Sequence, residues 1–200
     1  MAAPITHIVL ANKVLNDLPK VSRKDFFVGT SFPDIRYIRV IDRDKTHIKN
    51  VSLEDIKNET GFKAGFLLHS LVDKLREDYL NKNGLYNLIP KSGLATQAVK
   101  LFEDKILYDK LSDWSIVASY FKDVLPEEKE FPIQEESISK WHKILSDYLA
   151  QKPTPESRAP FFKELYFTDE QTRQIELLIG EMENKPELIE LIERFYQNIL

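Results

Sequence analysis

Apolar residues recur at helical spacing along almost the whole chain. In the first segment Ile8, Ala11, Val14, Leu15 and Leu18 form one stripe, with Asn12, Lys13, Asn16 and Asp17 opposite. Pro4 suits a first helical turn and Pro19 a helix end. Ser22 is placed to cap a second helix that runs to about Thr30. Phe32 precedes Pro33 and is expected to be extended, which opens a polar stretch over 33–51. Within it the β-branched patch from Tyr37 to Ile41 could form a strand, although no second strand is in view to pair with it. Ser52 to Glu59 reads as a short helix. A long helix follows from about Thr60 to Asn81 and stops near Gly84. Its Phe62, Phe66, Leu67, Leu68, Leu71, Val72 and Leu75 leave a narrow polar face around Lys63, Ser70 and Lys74, the pattern of a helix in the middle of a bundle. Further helices are expected over about 93–110, 113–124, 135–150, 168–183 and 186–199.

Three prolines between Lys152 and Pro160 mark a linker. The expected fold is an all-α bundle of seven to nine helices. Residues 1–151 would form the helical core and 152–200 a C-terminal extension packed on it, in one domain. Ile175, Leu177, Leu178, Leu188, Ile189, Leu191, Ile192, Phe195 and Leu200 would face that core, or supply a homodimer surface.

Composition narrows the chemistry. The chain has 200 residues, 42% of them hydrophobic and 30% charged, within the range of globular proteins. Only six are glycine, too few for the turns of an all-β sandwich. The net charge of −4 supplies no basic field for duplex nucleic acid. The absence of cysteine excludes disulfides, thiol nucleophiles and thiolate metal sites. No run approaches the roughly 18 apolar residues of a membrane span, and Met1 to Leu18 does not read as a leader, so the expected location is cytoplasmic.

Any metal site must therefore use histidine and carboxylate. There are four histidines. His69 and Asp73 stand one turn apart on the inward face of the long helix, where one divalent ion could bridge them. A His–Asp hydrogen bond, or a pair between Asp73 and Arg76, would equally settle a buried carboxylate there. His7 lies inside the first apolar stripe. Asp34 and His47 fall at turn and loop positions. Together these five offer a ligand set for zinc, iron or manganese. His142 borders the stripe of Ile138, Trp141, Leu145 and Leu149 and reads as a boundary residue. Arg36, Arg39, Arg43, Lys45 and Lys49, with Tyr37 among them and Asp42 and Asp44 interleaved, make either a solvated loop or a phosphate-recognition segment.

The residues also carry a resemblance. Pro4-x-Thr6-His7, Gly29-Thr-Ser-Phe-Pro33-Asp34, Thr46-His47 and Ala64-Gly65-Phe66-Leu67-Leu68-His69-Ser-Leu-Val-Asp73, in that order, resemble the zinc-dependent phospholipase C family. Its all-α fold and metal centre are shared with P1-type nucleases. The resemblance covers roughly residues 4 to 80. It implies a metal-dependent phosphoester hydrolase holding one or two Zn2+ ions, with Mn2+ or Fe2+ as alternatives. Asp34, His47, His69 and Asp73 would bind the first ion, with Asp73 bridging towards a second held by His7. Asp34 would also serve as the general base. The family's N-terminal tryptophan ligand is replaced by Met1-Ala2-Ala3, and its further histidine ligands after the long helix are absent. Glu77, Glu103 and Asp104 could substitute as oxygen ligands. Arg36 and Arg39 would contact the phosphate of a small phosphoester or a phospholipid. A helical interaction protein with a structural metal site, and a metal-free binding module with hydrogen-bonded histidines, are the other readings.

Overall fold

The computed structural model describes residues 2–18 and 21–199. The expected helix end at Pro19 and the packing of Leu200 lie outside the described residues. Eleven α-helices follow one another: α1 Pro4–Leu15, α2 Arg23–Ser31, α3 Leu53–Lys57, α4 Gly61–Lys82, α5 Leu85–Leu88, α6 Ala95–Leu107, α7 Trp114–Ser119, α8 Glu135–Leu149, α9 Pro155–Glu164, α10 Asp169–Glu183 and α11 Pro186–Asn198. Short 3-10 helices cover Phe32–Ile38, Arg43–Lys45, Tyr108–Lys110, Tyr120–Lys122 and Pro126–Glu130. There is no strand among the described residues. The all-α class stands, with more helices than the seven to nine expected.

The differences have local causes. The patch at Tyr37 to Ile41 is no strand. Its first half continues the 3-10 helix, and Arg39 turns the chain out at a φ of 64°. With no partner strand, the backbone satisfies itself locally, as in the Arg39 N–H bond to the Arg36 carbonyl at 2.9 Å. Phe32 is helical rather than extended, with φ −63° and ψ −41°. Pro33 stands in the first turn of that 3-10 helix, where its missing N–H costs nothing. The expected linker over 152–160 contains the start of α9. Thr154 and Ser157 form a reciprocal cap, and Pro155 opens the helix. Pro160 leaves the Glu156 carbonyl without its helical donor, at an exposed position.

α4 is the axis of the bundle. Phe62, Ala64, Phe66, Leu68, Leu71, Val72 and Leu80 are all buried along it. Lys63 and Lys74 reach solvent as expected, but Ser70 is buried beneath the loop at 43–50. α2 lies against α4 at very close range because two glycines meet the facing backbones. A Cβ on Gly65 would stand 2.0 Å from the Phe26 carbonyl oxygen, and one on Gly29 2.0 Å from that of Phe62. No other residue fits either position without separating the helices.

The C-terminal segment belongs to the same core. Leu188, Leu191, Ile192 and Phe195 of α11 are buried, and Lys13 of α1 donates to the Tyr196 and Ile199 carbonyls at 2.5 and 2.9 Å. Arg158 of α9 forms a buried pair with Glu176 of α10. Leu177 is exposed rather than packed. No helix among the described residues is long and apolar enough to cross a membrane.

Candidate metal centre

Four segments bring the five sequence-identified residues together. α1 supplies His7, the 3-10 helix at 32–38 supplies Asp34, the loop after Arg43–Lys45 supplies His47, and α4 supplies His69 and Asp73. All five are buried, His47 being the most exposed at 8%. His69 Nε2 faces His47 Nε2 at 3.2 Å, Asp34 Oδ1 at 3.8 Å and Asp73 Oδ2 at 3.9 Å. His47 Nε2 lies 3.5 Å from Asp73 Oδ2, and His7 Nε2 lies 3.4 Å from Asp73 Oδ1. The His7 ring stacks on that of His69 at 3.9 Å between centroids.

These separations fit a common ion. Bonds of about 2.1 Å in a tetrahedral site place ligand atoms about 3.4 Å apart. Two overlapping triads bring one ligand atom from each residue within 4.8 Å of one another: His7, Asp34 and His69, and His47, His69 and Asp73. His69 can give only one nitrogen to either, because its Nδ1 is 2.8 Å from the Thr30 carbonyl oxygen and must donate to it. That bond fixes the tautomer and turns the Nε2 lone pair into the cluster. The close contact of α2 with α4 is what brings Thr30 there. His47 Nδ1 pairs in the same way with the Thr46 hydroxyl at 3.0 Å.

The cluster is not satisfied by its own hydrogen bonds. Among the described residues His7 Nδ1 has no hydrogen-bond partner, His7 Nε2 has only Asp73 Oδ1 at 3.4 Å, and buried Asp34 Oδ1 has only the longer contacts with Arg36 and His69. Buried polar atoms are rarely left so without a function. Burial lowers the His7 and His69 imidazoles to about 4, against the pull of the neighbouring aspartates, so both are neutral and able to coordinate at pH 7. Burial pushes the Asp34 carboxyl up. It acts on Asp73 too, but the His47 and His7 imidazoles beside that carboxylate, with His69, hold it far below the ordinary range.

The remaining expected ligands have other partners. Glu103 is consumed by Arg76, which binds it through Nε at 2.7 Å and through Nη2. This also removes the pair between Asp73 and Arg76 that would have explained a buried Asp73. Asp104 holds the start of α1: it accepts the Ile5 and Thr6 amides at 3.2 and 2.8 Å, the Thr6 hydroxyl at 2.8 Å and the Tyr148 hydroxyl at 3.1 Å. Glu77 accepts from Asn81 and Tyr86 at 3.1 and 3.0 Å and borders the same cleft as His47 and Asp73. Arg39 is exposed and lies over the Tyr166 ring. Arg36 stays close, with Nη2 3.5 Å from Asp34 Oδ1 and its guanidinium stacked on Tyr37. His142 is buried, not at a boundary, and is bound to Glu128 at 2.7 Å in a separate place.

Two further residues reach the centre. Arg43, which the sequence places in the basic segment that reads as a solvated loop or as phosphate recognition, has Nη2 3.7 Å from Asp73 Oδ2; its position four residues before His47, in one turn, is the signal. Ser70 Oγ accepts the Ile48 amide at 3.0 Å and so pins the loop that carries His47. Nothing in the sequence separates that serine from a solvated one. No family model, curated protein or solved structure matches this chain.

Proposed function

We propose that this chain is a metal-dependent phosphoester hydrolase of the kind implied by its resemblance to the zinc-dependent phospholipase C family. The observation that carries the reading is the convergence of three imidazoles and two carboxylates in one buried cluster, with hydrogen-bonding capacity left over at His7 and Asp34. His47, His69 and Asp73 would hold one ion, Zn2+ in the first instance, and Asp34 and His7, which group with the same His69, would complete the site or hold a second. Such an ion supplies Lewis acidity towards phosphoryl oxygens and lowers the pKa of water. The protein's own part is positional. Thr30 and Thr46 set the tautomers of His69 and His47. Asp34 is the base that takes the proton of the attacking water, and Arg36 orients its carboxylate.

The test is elemental analysis of protein purified without chelator or histidine tag, beside Asp73→Ala, followed by a screen of phosphomonoesters and phosphodiesters. One to two equivalents of metal, lost in the variant, with turnover that a chelator removes, supports the proposal. Metal-loaded protein that leaves every phosphoester intact overturns it. The burial of all five groups favours one other reading, a metal that staples the bundle without catalysis. That reading requires chelation to lower the melting temperature while no hydrolysis is ever seen.

A further inference from the structure

We propose that Arg43 is the phosphate-binding arm of this centre, and that it takes the terminal phosphate of a small phosphomonoester entering over His47 and Asp73. The inference rests on the hydrolase reading and adds to it a direction of approach and a substrate class.

The cluster has two sides. Beyond Asp34 the space is walled by Ala3, Pro4, Tyr37, Trp141 and Phe162 and measures about 40 Å³. That is room for two or three waters at roughly 15 Å³ each and excludes a phosphoester. On the other side His47 and Asp73 border a cleft of about 1130 Å³, ample for a molecule of nucleotide size. Arg43 is the one arginine among the residues lining that cleft. Arg36 is held against Asp34 and Tyr37, and Arg39 against Tyr166.

Arg43 is placed to act on whatever reaches the centre. Its side chain is 55% exposed, yet one guanidinium nitrogen is 3.7 Å from Asp73. Its carbonyl accepts the Thr46 and His47 amides at 3.1 and 3.0 Å, so the guanidinium and the His47 imidazole belong to one turn. Were Asp73 to hold a cation, its carboxylate would be shared, and the Arg43 guanidinium would pair with an incoming anion instead. The guanidinium fork matches two phosphate oxygens at once. A monoester has three unesterified oxygens, enough for the fork and the centre together; a diester has two. Lys49 and Lys74 also line the cleft but are offset by Asp44, Glu77 and Asp78, which leaves Arg43 as the group for a single phosphate and no continuous basic track for a polynucleotide.

The test is calorimetric titration of inorganic phosphate into the full chain, with and without added zinc. Wild type, Arg43→Ala, Arg43→Lys and the distant surface variant Lys143→Ala are compared, each with its metal content and thermal melt. The expected result is at least a tenfold weaker phosphate affinity in Arg43→Ala, a smaller loss in Arg43→Lys, and none in Lys143→Ala, with metal content unchanged. Where phosphoesters are turned over, KM for a monoester should rise about tenfold in Arg43→Ala and KM for a diester little. Equal phosphate affinity in wild type and Arg43→Ala overturns the proposal, as does a wild type that binds no phosphate in either condition. Phosphate binding that depends on Arg43, in a chain that neither takes up metal nor hydrolyses any ester, supports this proposal and sinks the hydrolase reading alone. Because Arg43→Lys keeps the charge at an exposed position, a folding defect in the alanine variant does not decide the outcome.

Discussion

Asp34 and Asp104 are both buried aspartates within one small bundle, and they are built in opposite ways. Asp104 accepts four hydrogen bonds, two from backbone amides of α1 and two from the Thr6 and Tyr148 hydroxyls. Asp34 Oδ1 accepts no hydrogen bond and has only longer contacts, with Arg36 Nη2 at 3.5 Å and a histidine nitrogen at 3.8 Å. Burial alone therefore does not mark a functional carboxylate. The mark is capacity left unspent, because a buried polar atom without a partner is costly and persists only where something else compensates. The largest expected difference follows directly. Asp104→Ala leaves four donors buried without an acceptor and should cost about 4 kcal/mol of stability. Asp34→Asn, in chelator, should cost no more than about 1 kcal/mol, because it removes no hydrogen bond at Oδ1 and only a 3.5 Å ion-pair contact with Arg36. Urea denaturation of the two variants measures both, and a similar large loss in each would erase the distinction.

The same pair can be separated by pH. Burial pushes the Asp104 carboxyl up to about 7, against the pull of its four donors. A carboxyl with a folded pKa above its unfolded value of roughly 3.9 holds more protons when folded. Its contribution to stability is fully present below the unfolded pKa and declines as pH rises from about 4 to about 7. The stability difference between wild type and Asp104→Asn, in chelator, should shrink across that window by at most about 1.4 kcal/mol per pH unit. A difference that grows with pH would mean that the four donors outweigh burial and hold Asp104 ionised.

Metal should act on one aspartate and not the other. Zinc at 100 times its dissociation constant should stabilise wild type by about 3 kcal/mol, through preferential binding to the folded state. Asp34→Asn and His69→Ala should lose most of that increment. Asp104→Asn, although weaker as a fold, should keep it in full. Thermal melts with zinc and with chelator give the comparison, and a zinc response that disappears in Asp104→Asn would join the two networks into one.

How far the sequence revealed this division depends on secondary structure. His69 and Asp73 were legible because a helix repeats its faces, and their spacing put both on the apolar side of α4. His7 was legible for the same reason in α1. Asp34 and His47 sit on a 3-10 helix and a loop, which carry no comparable period, and only their order among the resembling blocks drew them out. Glu103 and Asp104 show the limit. A carboxylate on a buried helix face looks the same in sequence whether it awaits a metal, an arginine or the first turn of another helix. Their partners, Arg76 and the amides of Ile5 and Thr6, lie 27 to 99 residues away. The long helices were readable from their apolar periods, whereas α9 was hidden by prolines that serve as a helix start. The closeness of α2 and α4 turns on Gly29 and Gly65, whose roles appear only when the two backbones face each other.

The smallest effect probes how the cluster is held. His47 stands on a loop, unlike His69, and apart from its own contacts with His69 and Asp73 the loop is tied to α4 by the Ile48 amide on Ser70 Oγ at 3.0 Å. Ser70→Ala removes that acceptor and nothing that touches the metal ligands directly. The fold should lose about 1 kcal/mol, the usual worth of one hydrogen bond. Zinc affinity should fall about tenfold, the loss typical when a supporting contact behind a ligand is removed. Competition with a chromophoric chelator measures the affinity, and urea denaturation the stability. If affinity falls while stability hardly moves, the bond serves the centre, and the loop is held where it is for the sake of His47. If both fall in proportion, Ser70 is part of the bundle in the way Asp104 is, and His47 is positioned by the turn at Arg43–Lys45 alone.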